Sequence, residues 1–190
     1  VAPRATKSFE LSVVVPIEDL RNPPPLVEPP AEGTDEWFNA PETTEITGSV
    51  WPHVEEAIVD RVLAHNSTIV FANSRRLAER LTGRLNEIYA LRLGEQLAAP
   101  SIPAATMAQA GISAGAPAVL AKAHHGSVSK DQRAIVEDEL KSGVLRCVVA
   151  TSSLELGIDM GAVDLVIQVE SPPSAASGLQ RIGRAGHQVG

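Results

Sequence analysis

The segment Gln180–His187 places two arginines and a glutamine among small residues, a combination suited to binding phosphate. A guanidinium group is always charged and can donate two parallel hydrogen bonds, so Arg181 and Arg184 could each hold a phosphate. Gly183 and Gly186 lack side chains and would let a nucleotide or a second domain approach the main chain. Taken alone, an arginine pair at this spacing is more typical of an exposed helix.

Three further groups of polar residues follow apolar runs that are typical of buried strands. In chain order they are Asn73-Ser74-Arg75, His125-Gly126 and Thr151-Ser152. Ligands of parallel α/β sheets gather at the carboxyl ends of the strands. We therefore expect these groups and the segment Gln180–His187 to meet at one edge of a sheet.

Strand-like and helix-like segments alternate along the chain, which predicts a doubly wound α/β domain with a mostly parallel sheet. The strands are expected at residues 9–15, 68–72, 118–123, 145–150 and 163–169. The first helix should begin near Pro52, and the second is marked by an apolar stripe at Leu77, Leu81, Leu85 and Ile88. A third should run from Ser129 to Gly143 with Ile135, Val136 and Leu140 inward, and a short last helix should carry Gln180.

Two segments break this alternation. Residues 21–48 are rich in proline and glutamate, and residues 94–117 are rich in alanine, glycine, proline and serine. We therefore divide the chain into residues 1–48, an edge strand with a loop or linker, and residues 49–190, the α/β domain. Residues 94–117 would be a loop or insertion within that domain.

Charge is spread unevenly along the chain. The net charge is -7, but residues 1–60 contain 12 acidic and 3 basic residues, whereas residues 61–190 contain 11 acidic and 13 basic ones. A local basic face that binds nucleic acid is thus compatible with the second part. Aromatic residues make up only 3%, which argues against a surface built mainly on base stacking.

Other features bound the class of protein. The single cysteine, Cys147, lies in an apolar run and is expected to be a buried core residue. No apolar run reaches transmembrane length, so we expect a cytoplasmic protein without a membrane partner. The sequence has no Gly-x-x-x-x-Gly-Lys-Ser/Thr phosphate loop and no Asp-Glu-x-His/Asp metal-binding box.

Four segments together resemble conserved motifs of the second motor domain of superfamily 2 helicases, which has a RecA-like fold. Phe71–Arg75 is similar to motif IV, Thr151–Asp159 to motif V and Gln180–His187 to motif VI, while His125-Gly126 with Gln132-Arg133 resembles the segment between motifs IV and V. Their order and spacing are specific to that domain. The amino-acid sequences of residues 49–52, 73–81 and 185–187 resemble those of the bacterial large helicase-related (Lhr) proteins.

The resemblance implies a role for each matched residue. ATP and Mg²⁺ would be clamped between two motor domains of one chain, the first of which supplies the phosphate loop and the metal ligands. Arg184, the expected arginine finger, and Gln180 would face the phosphates. Further nucleotide contacts are expected from Gly157, Asp159, Arg181 and His187. Contacts to the nucleic-acid backbone are expected from Asn73, Ser74, Arg75, His125, Gly126, Thr151 and Ser152.

One residue departs from the family pattern. His187 stands where many relatives have another phosphate-facing arginine, and histidine is mostly neutral at pH 7. This weakens the expectation of a second finger. A structural role is an alternative to ligand contact for some of these residues. Thr151, Ser152 and Asp159 could instead cap a turn. For His124, Ser153 and Glu155 a structural role is favoured.

The function implied by the resemblance is that of a second motor domain in an ATP-dependent 3′-to-5′ DNA helicase. It would move along single-stranded DNA and unwind a DNA or RNA–DNA duplex, in DNA repair at the nucleoid. One alternative is a DEAD-box-like RNA helicase domain, disfavoured because Gln180 stands where histidine is usual. The other is a non-catalytic α/β module that binds nucleic acid.

Overall fold

The computed structural model describes residues 10–20, 23, 49–94, 119–155 and 163–186. Contacts divide the chain into two compact units, Val1–Ala57 and Ile58–Gly190. The predicted loop or linker at 21–48, apart from Pro23, lies outside the described residues, as does the predicted insertion at 94–117 beyond Gly94.

The strand expected at residues 9–15 is the clearest error in the sequence-based assignment of elements. Residues 10–20 form neither helix nor strand, and the Leu11 and Val13 side chains are 71% and 94% exposed. Alternating apolar residues make a strand only when a neighbour satisfies the backbone N–H and C=O groups. Within the described ranges, no ladder partner for residues 10–15 is present.

The described residues contain alternating helices and strands in the expected order. The helices are α1 (Trp51–Leu63), α2 (Arg75–Arg92), α3 (Lys130–Lys141) and α4 (Ala175–Ile182). The strands are β1 (Thr68–Phe71), β2 (Ala121–His124), β3 (Cys147–Ala150) and β4 (Leu165–Gln168), and a 3₁₀ turn, Ser152–Leu154, follows β3. Each strand is shorter than its apolar run, because ladder hydrogen bonds rather than composition set its ends.

The four strands form one parallel sheet in the order β2-β3-β1-β4. After β1 the chain passes to the far edge, returns to β3, and then crosses to β4 on the other side of β1. The predicted doubly wound parallel sheet is therefore confirmed. Winding changes direction between β1 and β4, the place where open α/β sheets leave a crevice for ligands.

Local sequence signals set the helix ends. The Ser74 hydroxyl accepts a hydrogen bond from the Leu77 N–H at 3.1 Å and caps α2. Ser129 caps α3 in the same way, accepting from the Gln132 N–H at 3.2 Å. Gly143, with a φ of +76°, ends α3 in the left-handed conformation that glycine adopts without strain.

The apolar faces of α2 and α3 follow their helical spacing with one exception. Leu81, Leu85 and Ile88 of α2 are buried, as are Val136 and Leu140 of α3. Ile135 was expected to point inward, but it is 47% exposed. Val136 and Leu140 are one turn apart and define the buried stripe of α3, and Ile135 lies about 100° away from Val136 around the helix.

The core lies around the central strands. Ile69 and Phe71 of β1 and Val148 of β3 are fully buried, and Leu140 and Leu154 pack in the same cluster. Strands covered on both faces are apolar throughout, which explains the unbroken apolar runs. Cys147 is buried at the start of β3, and burial raises the pKa of its thiol, so the prediction of a core cysteine is confirmed.

Candidate functional site

The polar groups singled out in the sequence follow β1, β2 and β3 at the carboxyl edge of the sheet. Because the strands are parallel and in register, Asn73, His125 and Thr151 all lie beyond the same edge. The Thr151 N–H donates to the carbonyl of His124 at 3.3 Å, and this bond holds the loops after β2 and β3 side by side. The three groups that follow β1, β2 and β3 therefore lie at one edge of the sheet, as expected.

The start of α2 holds the loop that follows β2. Arg75 Nη1 donates to Ser127 Oγ at 2.6 Å. The Ser127 N–H donates to His125 Nδ1 at 3.2 Å, so the other ring nitrogen of His125 carries the proton and donates to Glu79 Oε1 at 2.5 Å. Arg75 and Glu79 are one helical turn apart, so a single face of α2 fixes both ends of the loop.

This arrangement changes the interpretation of His125. The residue is 4% exposed and both ring nitrogens have partners inside the domain. Its placement argues against the expected direct contact with nucleic acid and instead makes it a support for the loop. Gly126 and Ser127 are the exposed members. A Cβ on Gly126 would meet no atom within 4 Å, so the fold itself leaves that position open to a close-approaching ligand.

The hydroxyl side chains of the turn after β3 differ in their exposure and hydrogen bonding. Ser152 is exposed and Thr151 half-buried, and the Thr151 side chain makes no capping hydrogen bond to the 3₁₀ turn. Ser153 instead donates to the carbonyl of His124 at 2.7 Å and lies 2.8 Å from His124 Nδ1. Ser153 therefore has the structural role expected of it, through His124 rather than as a cap.

His124 belongs to the core, as expected. It is 1% exposed, and its Nε2 lies 2.9 Å from Glu137 Oε1. Burial lowers the pKa of His124 and outweighs the opposing influence of the Glu137 carboxylate. The ring is therefore neutral near pH 7 and joins β2, α3 and the turn after β3.

Arg181 is the most enclosed charged residue of the site. It is 2% exposed. Its Nε and Nη2 lie 2.8 and 2.6 Å from Glu155 Oε1, and its Nη1 donates to Gln168 Oε1 at 2.7 Å and to Asn73 Oδ1 at 3.1 Å. The guanidinium carbon is 5.1 Å from the centroid of the Phe71 ring. A buried charge is tolerable only with such a carboxylate and a full set of acceptors.

The placement of Arg181 argues against the nucleotide contact expected for it. Its donors point into the domain, toward the ends of β1 and β4. Glu155 has the structural role expected of it. Gln168 was overlooked in the sequence, although a polar residue at the end of the apolar run of β4 was an available signal.

Arg184 and Gln180 are less enclosed than Arg181. Gln180 is exposed on α4, and Arg184 is half-buried just beyond the end of that helix. Arg184 Nη2 donates to the main-chain carbonyl of Glu155 at 2.8 Å. The two arginines of the motif therefore attach to the same turn residue, one to its carboxylate and the other to its carbonyl.

The glycines between and after the arginines have backbone explanations. A Cβ on Gly183 would lie 3.1 Å from the carbonyl oxygen of Leu179, so a side chain there would crowd the end of α4. Gly186 has a φ of +66° and donates its N–H to the carbonyl of Val163 at 2.8 Å. Glycine at these two positions is therefore needed for the backbone path of the segment. The close approach of a ligand to them stays a prediction.

Three expected nucleotide contacts, Gly157, Asp159 and His187, lie outside the described residues. Within the described ranges there is no group of three or more histidine, cysteine, aspartate or glutamate residues placed to hold a metal ion. The same part of the chain includes no helix with the length and apolarity needed to cross a membrane.

Comparison with known proteins points to one family. The helicase conserved C-terminal domain matches residues 104–188. An Lhr helicase of Mycolicibacterium smegmatis is 61% identical over 196 residues, covering 100% of this chain and 12% of the relative. The Lhr helicase/uracil glycosylase of Escherichia coli is 55% identical over 198 residues, with the same coverage. This chain therefore spans about 12% of the length of these relatives.

A solved structure agrees with the sequence comparison. The Mycobacterium smegmatis helicase Lhr bound to single-stranded DNA and AMP-PNP aligns with a TM-score of 0.62 and 68% identity. The alignment covers 76% of this chain and 16% of the other. The parallel sheet and the four motif segments thus define a C-terminal, RecA-like motor domain of a superfamily 2 helicase. Within that class, this chain belongs to the Lhr helicases.

Proposed function

We propose that this domain supplies half of an ATP site in an ATP-dependent helicase, and that Arg184 is its arginine finger. The observation that carries the proposal is the contrast between the two motif arginines. Arg181 is enclosed, whereas Arg184 is half-buried, donates to the main-chain carbonyl of Glu155 and follows the helix that carries exposed Gln180. A permanently charged donor at such a partly exposed position suits the charge that develops on a transferred phosphoryl group.

The other half of the ATP site would come from a first motor domain of the same protein. The sequence of this chain has no phosphate loop and no Asp-Glu box. ATP and Mg²⁺ would therefore be held mainly by that domain, with Gly157, Asp159 and His187 of this one as further nucleotide contacts. The Lhr structure with AMP-PNP supports nucleotide binding in this family.

Single-stranded DNA would bind along the loops at the carboxyl edge. The exposed group comprises Ser74, Arg75, Gly126 and Ser152, with Thr151 half-buried and Asn73 beside them. Hydroxyls, main-chain N–H groups and one arginine are the donors that commonly contact a sugar–phosphate backbone. The M. smegmatis Lhr structure was solved with single-stranded DNA, which supports DNA as a ligand in this family.

The finer activity is that of a 3′-to-5′ translocase that unwinds a DNA or RNA–DNA duplex in DNA repair, at the nucleoid in the cytoplasm. Opening and closing of the cleft between two motor domains would shift the grip of this domain along one strand. Residues 49–190 would form the motor domain, with residues 1–48 as an edge segment and linker and 94–117 as an insertion.

Substitution of Arg184 tests the proposal in the full-length protein. Arg184→Ala should lower kcat for strand-stimulated ATP hydrolysis by about a thousandfold or more, the usual effect of losing an arginine finger, with little change in the Kd for single-stranded DNA. Arg146→Ala is the matched control, since Arg146 is an exposed arginine at the amino end of β3. Steady-state ATPase assays and fluorescence anisotropy measure the two quantities.

Two outcomes would contradict different parts of the proposal. Turnover by Arg184→Ala at the rate of Arg146→Ala would remove the finger assignment. A wild-type protein that binds DNA but shows no strand-stimulated turnover would favour the non-catalytic module. Strand displacement with matched DNA and RNA tracking strands then separates a DNA helicase from a DEAD-box-like RNA helicase.

A further inference from the structure

Glu155 occupies an unusual position between the two arginines of the last motif. Its carboxylate oxygen Oε1 lies 2.8 Å from Arg181 Nε and 2.6 Å from Arg181 Nη2. Its main-chain carbonyl accepts a hydrogen bond from Arg184 Nη2 at 2.8 Å. The carboxylate is only 11% exposed and the Arg181 side chain 3%. The Arg184 guanidinium is therefore linked directly to the Glu155 peptide group.

Arg181 ties that peptide group to the loops of the proposed strand-binding edge. The same guanidinium donates to Asn73 Oδ1 and to Gln168 Oε1. Asn73 in turn donates its amide to the carbonyl of Ser171 at 2.8 Å, beyond the end of β4. Contacts thus run without a break from the loop after β1, through Arg181 and Glu155, to Arg184.

The buried setting makes this connection stiff. Removing any acceptor leaves a guanidinium donor without a partner where water cannot reach it, so the group has few alternative positions. Phe71 lies under the guanidinium at 5.1 Å and limits movement toward the sheet. Gln168 pairs directly with Phe71 in the β1–β4 ladder, so these two partners come from adjacent strand ends.

We infer that Glu155 and Arg181 are positioning residues for ATP hydrolysis, which fix the Arg184 finger relative to the loops that bind the DNA strand. The inference rests on the proposed function. It adds two residues that act through Arg184 without touching nucleotide. It also gives the two arginines of the last motif separate tasks: buried Arg181 would transmit position, and half-buried Arg184 would face phosphate.

The test replaces the Glu155 carboxylate by its uncharged isostere in the full-length protein. Glu155→Gln should lower strand-stimulated kcat by about a hundredfold, the scale expected when a catalytic group is displaced by about 1 Å. The KM for ATP and the Kd for single-stranded DNA should stay within about twofold of wild type, because Arg181 and Glu155 contact neither ligand. Glu139→Gln is the matched control, since it breaks the Lys122–Glu139 pair (2.6 Å), which lies apart from Arg184.

A second variant separates positioning from loss of stability. Gln168→Glu added to Glu155→Gln returns a carboxylate to the Arg181 pocket, because Gln168 Oε1 already lies 2.7 Å from Arg181 Nη1. The double variant should regain thermal stability while its kcat remains low. If kcat returns together with the melting temperature, Glu155 is merely structural and the inference is wrong.

Other results of these assays distinguish failure of the inference from failure of the proposed function. A Glu155→Gln protein that loses no more kcat than Glu139→Gln overturns the inference and leaves the proposed function intact, provided that Arg184→Ala is inactive. Failure of the proposed function looks different, because wild-type protein would then show no strand-stimulated turnover. Arg181→Lys should lose kcat like Glu155→Gln, because a compact ammonium lacks the planar fork that spans Glu155, Gln168 and Asn73. Wild-type kcat in that variant would count against the inference.

Discussion

At the scale of single residues, burial separates side chains that look equivalent in the sequence. Arg181 and Arg184 belong to one short motif, yet the first is 2% exposed and the second is half-buried. His124 and His125 are adjacent, and each has its own carboxylate partner, Glu137 and Glu79. The side chains enclosed beneath the proposed DNA-binding loops are therefore charged or polar, with their hydrogen bonds largely satisfied inside the domain.

The buried His124 predicts a dependence of stability on pH. Its folded-state pKa lies below 6.5, so the unfolded chain binds this proton more readily. The free energy of unfolding should therefore be highest above pH 6.5 and fall as the pH drops below that value. Urea unfolding of the 190-residue chain between about pH 7.5 and pH 5 measures the slope. A His124→Gln variant should show a shallower slope, and an unchanged slope would contradict the assignment.

At the scale of elements, the start of α2 joins two loops of the proposed DNA-binding surface. α2 begins at the loop that carries Asn73 and Ser74, and its first turn also holds the loop after β2 through Arg75 and Glu79. α3 begins with an equivalent serine cap, in which Ser129 accepts from the Gln132 N–H. The two caps therefore offer a comparison in which the local bond is the same and the surroundings differ.

The capping serines give a matched pair of substitutions. Ser74→Ala and Ser129→Ala should each lower the free energy of unfolding by about 1 kcal/mol, because each leaves one N-terminal N–H without its side-chain acceptor. Only Ser74→Ala should also weaken binding of single-stranded DNA by the full-length protein, if Ser74 contacts the strand as proposed. Equal DNA affinities of the two variants would place Ser74 outside the binding surface.

At the scale of the whole molecule, the sheet gathers residues far apart in sequence at one edge. Arg181 and Asn73 are 108 positions apart and meet because β1 and β4 are neighbours. The site so formed offers donors for phosphate but, in the sequence of this chain, no phosphate loop. The proposed ATP site is therefore complete only when a second domain closes over this edge.

The isolated 190-residue chain should accordingly show no ATP hydrolysis above background, with or without single-stranded DNA. Arg184 can stabilise the transition state only when another domain binds ATP and Mg²⁺ in front of it. Phosphate-release assays on the isolated chain and the full-length protein, at equal concentration, make the comparison. Strand-stimulated turnover by the isolated chain would refute the two-domain site.

The sequence alone determined the order along the chain of the four helices and of the four strands in the sheet, the parallel sheet, the helix start at Ser129, and the family. These features depend on periodicity and on contacts within a few residues, which the linear chain records directly. Tertiary structure alone decided that Arg181 and His125 point inward, that Gln168 and Glu155 serve Arg181, and that residues 10–15 form no strand. The physical reason is that a polar side chain can be buried, and a strand formed, only where distant residues supply the missing hydrogen bonds.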